Sequence, residues 1–293
     1  MRSPTLTAAL WMTGAIVSFT AMAVAGRAVS FELDTFEIML FRSLVGVLIV
    51  SGFALGLGRT GELATGRFRF HVFRNIAHFT GQNLWFYAIT VIPLAQVFAL
   101  EFTTPIWAIF LSALILGERI TRWGLIAAGL GFAGVLIVAR PDMGSLNTGV
   151  LAAAGAAIGF ALTAVATRTL TRTETILTIM FWLTLLQLAL GVLCAGIDGD
   201  IALPSAGSLP WLVVIAIGGL VAHFCMTNAL AIAPAATVMP IDFARLPVIA
   251  VVGVLLYTEP LDPLLFVGAA LIFLGNYLNL TRGQAAGRAR AQG

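Results

Sequence analysis

Ten apolar runs of 16 to 23 residues succeed one another along the chain with brief interruptions. They are Leu6 to Ala25, Thr35 to Leu55, Val72 to Ile89, Leu94 to Leu116, Trp123 to Val138, Gly149 to Ala166, Ile176 to Ala195, Leu209 to Ala229, Ala235 to Leu256 and Leu264 to Leu280. About 20 helical residues cross the ~30 Å hydrocarbon core of a bilayer. Backbone amides there must be satisfied within their own segment. Runs of this length are therefore expected to be spanning helices, and the longest connection, Gly56 to Phe70, leaves no soluble domain. The composition agrees: 60% of the 293 residues are apolar and 10% charged, against about half and a quarter in soluble domains.

A second constraint lies in the register between the two halves. One offset of 141 residues aligns them without a gap, pairing Gly14 with Gly155, Phe19 with Phe160, Arg27 with Arg168, Pro93 with Pro234, Glu101 with Asp242, Glu118 with Glu259 and Gly134 with Gly275. Matched alanines and leucines would follow from composition alone, but prolines, acids and an arginine in one register point to an internal repeat. Residues 1–141 and 142–282 are thus expected to be two five-helix repeats, followed by an arginine-containing tail, 283–293. Five is odd, so the second repeat enters the membrane from the opposite side, an inverted architecture used by many secondary transporters. The fold class expected is an all-α integral membrane protein with ten transmembrane helices in two inverted repeats. Arg2 and Ala23-Val24-Ala25 imitate a cleavable leader, yet the repeat requires Leu6 to Ala25 as its first helix.

Arginine placement orients the bundle. Every lysine or arginine in the chain is arginine, and with the N-terminus inside, eleven of the sixteen fall in cytoplasmic segments, only Arg27 and Arg140 in outer loops, and Arg42, Arg74 and Arg245 within spans. By the positive-inside rule both termini are expected in the cytoplasm of a bacterial inner membrane. The small net charge of +3 leaves no clustered basic footprint for nucleic acid. Cys194 and Cys225 lie in separate apolar runs with no metal-ligand spacing, so they read as packing thiols. No metal or cofactor is expected, and the partners are the bilayer and a small solute, with protons as an available coupling ion.

Polar residues inside spans mark the candidate site. The third run carries His71, Arg74, Asn75, His78, Gln82, Asn83, Trp85 and Tyr87, and His78, Gln82 and Trp85 share one helical face. His223 is the register mate of Gln82, with Asn228 following in the same helix. A carboxylate deep in a span costs several kcal/mol unless paired, hydrated or protonated, which singles out Glu101 and Asp242. Asp242 has Arg245 three residues on, whereas Glu101 has no partner at helical spacing, leaving His78, Arg42 or Arg74 on other helices. Arg74 is expected to snorkel toward the cytoplasmic headgroups, and Glu118 to close the fourth helix near Arg119 and Arg122. The substrate-binding set expected is His78, Gln82, Trp85, Tyr87, Glu101, Trp107, His223, Asn228 and Asp242. Glu101, Asp242 and Arg245 are the candidates for proton or charge coupling.

Trp11 and Gly14, the segment Leu40-Phe41-Arg42, and the stretch from Tyr87-Ala88-Ile89 through Pro105 to Leu116-Gly117-Glu118-Arg119-Ile120-Thr121 are similar to patterns of the drug/metabolite transporter superfamily. The chain resembles its EamA-type members over nearly its whole length. It departs from their pattern where two residues separate Trp11 from Gly14 and where the second copy reads Thr258-Glu259-Pro260-Leu261-Asp262. The resemblance implies a substrate cavity between the repeats, open alternately to each side, and in bacteria export of amino acids, metabolites or drugs, acting as a monomer. Aromatic amino-acid exporters are the most similar group. Export of lipophilic cations, or carriage of nucleotide or sugar metabolites, is the alternative. An intramembrane enzyme lacks any GxSxG or HExxH motif, and a passive channel is the remaining rival.

Overall fold

The computed structural model describes residues 4–117, 120, 122–139, 147–170, 172–197, 199–232, 241–242, 244–260, 262–279 and 281. Among them are eleven α-helices: α1 (Pro4–Val29), α2 (Thr35–Gly56), α3 (Phe68–Val91), α4 (Leu94–Glu101), α5 (Thr104–Leu116), α6 (Arg122–Ala139), α7 (Thr148–Leu170), α8 (Ile176–Ala195), α9 (Leu209–Ile232), α10 (Arg245–Tyr257) and α11 (Pro263–Leu278). Among the described residues six stretches are long and apolar enough to cross a membrane. Helix α3 is long enough too but less apolar, because His71, Asn75, His78, Gln82 and Asn83 face the interior, where all are buried.

The fourth run is one span in sequence but two helices in structure. Proline has no N–H to donate four residues back, so Pro105 frees the carbonyl of Glu101, which accepts instead from the Thr104 hydroxyl at 2.6 Å. Thr103 donates to the Leu100 carbonyl at 2.7 Å and the Asn276 amide to the Phe102 carbonyl at 2.9 Å, so the break at Phe102 and Thr103 leaves these carbonyls paired. The register mate of this break is residues 243 and 244, where α10 begins with Arg245.

Packing obeys the 141-residue register. The most extensive helix contacts join α1 to α9, α3 to α7, α2 to α8 and α6 to α11. The register turns α1 against α9 into α7 against α3, and returns the other two pairs to themselves. Such exchange defines a two-fold pseudo-axis between the repeats. Individual residues follow it: Gly14 lies against Cys225 and Gly155 against Leu84, Gly218 against Ser18 and Gly159 against Ala77. The α6/α11 seam is closest, since a Cβ on Gly134 would stand 2.5 Å from the Gly268 carbonyl oxygen and one on Gly275 2.8 Å from that of Ala127. Small residues here let backbones touch. Both cysteines are free.

Hairpin ends are clasped the same way. Asp34 caps α2 in a capping box with Glu37, and its register mate Thr175 caps α8. Glu37 accepts from the Ala202 N–H at 2.6 Å, while Thr178, its mate, donates to the Glu62 carbonyl at 2.6 Å. Glu32 accepts from the Ser208 hydroxyl and from the Ser205 N–H and hydroxyl. Led by the Ser208 bond, these hold its carboxyl below the ordinary value of 4.5.

Two arginines sit elsewhere than expected. Arg27 belongs to α1 and not to a loop: its guanidinium pairs with Glu259, donates to the Ile89 and Ile92 carbonyls at 2.5 and 2.8 Å, and stacks 4.6 Å over Tyr257. Glu259 in turn accepts the Leu94 N–H at 3.0 Å. Arg74 does not snorkel; it is 6% exposed and donates through Nε to Thr167 at 2.6 Å. A hydrogen-bonding partner on α7 holds it inside. Glu118, Arg140, Pro234 and the tail lie outside the described residues.

Candidate functional site

A narrow cavity of about 30 Å³ lies between α2, α3, α8 and α9, room for about one water molecule, so a solute enters it only when these helices part. Its lining includes Arg42, Ser43, Gly46, His78, Leu183, Thr184, Gln187, Gly219 and His223. The register pairs Arg42 with Leu183, Ser43 with Thr184, Gly46 with Gln187 and His78 with Gly219, all of them lining residues. The cavity therefore straddles the pseudo-axis. A second, roomier cavity, about 220 Å³, lies where α4, α6, α10 and α11 end, lined by Gln96, Glu259 and Asp262 among others. There Glu259 is already engaged by Arg27 and Leu94.

Helix α3 supplies the polar wall of the central cavity. His78 is 6% exposed with its Nδ1 unpartnered, and its ring lies 6.0 Å from Phe160. Gln82, one turn on, accepts a hydrogen bond from Arg42. His223 packs edge-on against Phe19, the register mate of Phe160, at 5.7 Å. On α8, Gln187 donates to the Asn75 carbonyl at 2.9 Å, which ties α8 to α3 below the cavity.

Beside the cavity is a buried ion cluster. Arg245 reaches Glu101 at 3.1 Å and Asp242 at 3.2 Å. Trp85 donates its indole N–H to the other Glu101 oxygen at 2.8 Å. The guanidinium lies 4.8, 4.9 and 5.1 Å from the rings of Phe19, Phe98 and Phe102, positions that attract a cation. Phe19 thus touches both Arg245 and the cavity histidine, joining cluster to cavity. Glu101 and Asp242, register mates at the two helix breaks, share one arginine.

The expected local pairing of Asp242 with Arg245 is present, whereas Glu101 is paired to Arg245 and Trp85 and not to His78, Arg42 or Arg74. His78 and His223 meet at the cavity, whereas Gln82 is not among its lining residues and reaches it only through its bond to Arg42. Trp85, 2% exposed, orients Glu101 from behind. Tyr87, Trp107 and Asn228 are not among the lining residues. Tyr87 bonds Thr148 at 2.9 Å, Trp107 is 37% exposed, and Asn228 donates to the Phe224 carbonyl of its own helix. Sequence reasoning noted Arg42 as an in-span arginine and a candidate partner of Glu101 but not as a binding residue, and did not single out Thr184 and Gln187. The 141-residue register could have found Thr184 and Gln187, as mates of Ser43 and Gly46 on the face that Arg42 shares. Among the described residues no group of histidine, cysteine and acidic side chains is placed to hold a metal.

A model of the EamA-like transporter family matches residues 6–140 and again 147–281. The chain belongs to the EamA-like transporter family. It is a multi-pass membrane protein of that family's all-helical fold. It is 30% identical over 276 residues to a riboflavin transporter of Vibrio cholerae, spanning 92% of this chain and 91% of that one. A riboflavin transporter of Brucella anthropi is 32% identical over 228 residues, 76% of this chain and 80% of its own. An S-adenosylmethionine uptake transporter of Rickettsia prowazekii is 24% identical over 267 residues, 89% and 88%. A protein of known crystal structure superimposes with a TM-score of 0.65 at 20% identity, over 98% of this chain and 99% of that one, which shows the fold alone.

Proposed function

We propose that this chain imports a planar heteroaromatic metabolite of the riboflavin class across the bacterial cytoplasmic membrane by alternating access. The observation that carries this reading is the axial cavity. Its lining sets Arg42, Ser43, His78, Thr184, Gln187 and His223 beside Met180, Leu183 and Leu220, with Gln82 bonded to Arg42, groups that suit a flat ring system bearing acceptors and a hydroxylated chain once the helices part to admit it. The relatives at 30% and 32% identity that are named for riboflavin support it. The narrower expectation of aromatic amino-acid export finds no support among those names. The arginine distribution supports both termini lying in the cytoplasm in this reading. Glu101 and Asp242 against Arg245 leave one negative charge in excess in the cluster, and a proton on that pair is the coupling ion of this reading. The test is uptake of labelled riboflavin by cells lacking riboflavin transport and synthesis. Growth at micromolar riboflavin, with uptake unaffected by excess tryptophan, is expected; uptake of tryptophan but not riboflavin refutes the reading.

A further inference from the structure

The cavity is symmetric in place but not in charge. Where the first repeat contributes Arg42 and His78, the second contributes Leu183 and Gly219 at the mated positions. Among the described residues no carboxylate pairs with Arg42. The acids buried at helix positions nearby are Glu37, which is taken up by the Asp34 and Ala202 N–H groups, and Glu101 and Asp242, both on Arg245. Its described hydrogen-bond partners are neutral: the Gln82 side-chain oxygen and the Met39 sulfur at 3.9 Å. A fixed cation facing a cavity without a counter-charge is poised for acceptors supplied from outside.

The space around the guanidinium is shaped for it. Gly219 on α9 lies against Arg42. A Cβ there would stand 3.0 Å from Arg42 Nη2 and 3.7 Å from Met22 Sδ, so even a methyl group crowds the fork. The guanidinium fork is planar and matches two adjacent acceptors, which an ammonium does not.

Building on the riboflavin-class reading, we propose that Arg42 is the cargo-reading residue. Its fork takes an edge of the cargo bearing two adjacent acceptor atoms, with Gln82 orienting it and Gly219 leaving it room. A flavin ring offers two such edges, a ring nitrogen beside a carbonyl oxygen on either side, and a carboxylate offers another. The cargo then lies with this edge toward α2 and α3 and its apolar face toward Leu183 and Leu220.

Equilibrium binding of tritiated riboflavin to the purified full-length protein tests this with three variants. Arg42→Lys keeps the charge and loses the fork, and is expected to bind at least tenfold more weakly. Gln82→Glu is isosteric and supplies Arg42 with a carboxylate, so binding falls at least tenfold while thermal stability is held or raised. Gly219→Ala falls several-fold. The wild type also discriminates at least fivefold against either 1-deazariboflavin or 5-deazariboflavin, each missing one ring acceptor, and Arg42→Lys narrows that preference. Wild-type riboflavin affinity in folded Arg42→Lys and Gln82→Glu overturns the assignment and leaves the transport reading standing. If the wild type ignores riboflavin, the transport reading fails, and the same variants are measured with S-adenosylmethionine, whose carboxylate is the acceptor pair. Equal binding by wild type and variants, or no binding of either probe, overturns the assignment there too.

Discussion

Glu101 is held by an arginine from the other repeat and a tryptophan from its own, and that arrangement makes its charge replaceable without unpacking its surroundings. Glu101→Gln keeps an acceptor for the Trp85 indole and removes the excess negative charge beside Arg245. Transport by this variant is expected to lose its response to a pH gradient, with folding retained; a gradient response equal to wild type would remove Glu101 from coupling. The sequence made Glu101 conspicuous, because an acid seven residues inside an apolar run has no other explanation. It could not name the partner. Arg245 lies 144 residues away, and helical spacing reports only neighbours on the same helix. The same blindness applied to Arg42 and Arg74, whose depth could be read but whose direction depended on Gln82 and Thr167 of other helices.

At the scale of the element, the clearest lesson is at the ends of the mated helices α5 and α10. The sequence shows Gly117 in one copy and Thr258 in the other, an apparent loss of the motif, yet both are left-handed, at φ 68° and 56°. The turn is retained and only the residue suited to it has changed. A β-branched residue in this region is strained by about 1 kcal/mol or more. Thr258→Gly is therefore expected to raise stability by ~1 kcal/mol, read as a higher Tm in detergent; a lower Tm would contradict the strain. The turn aims Glu259 back at Arg27 and at the α4 N-terminus, knitting α1, α3, α4 and α10 at one end of the bundle. The two side chains are each 12% exposed, and removing one member of a largely buried pair costs about 3 kcal/mol. Arg27→Met should lower the stability of the solubilised protein by that order, while an unchanged denaturation midpoint would show the pair to be idle. Register alone had flagged both charges, since each recurs in the other repeat, but it left Arg27 in an outer loop and Glu259 without a role.

For the whole molecule, the 141-residue register carried the most information: it implied the inverted repeat, and the helix pairings, the glycine contacts and the cavity lining all exchange under it. Helix count was nearly as legible, because span length is set by the bilayer. The break in the fourth span was harder to see, as a proline in an apolar run reads equally as a kink. The location of the cavity followed from neither; it needed α2 to meet α8 on the axis, a contact no periodicity reveals. Cargo identity was the least legible, since the proposed determinants, Arg42 with His78 and Gln82, are brought together only by packing between helices. In the proposed alternating-access reading, a site on the axis between the two halves is reached from each side in turn, which makes flux saturable and exchangeable. Counterflow in proteoliposomes measures this directly: vesicles loaded with unlabelled riboflavin are diluted into a trace of labelled riboflavin. A transient accumulation of label above equilibrium, absent from Arg42→Lys vesicles, is expected; entry that rises linearly with concentration and never overshoots would mean a passive pore and would contradict alternating access.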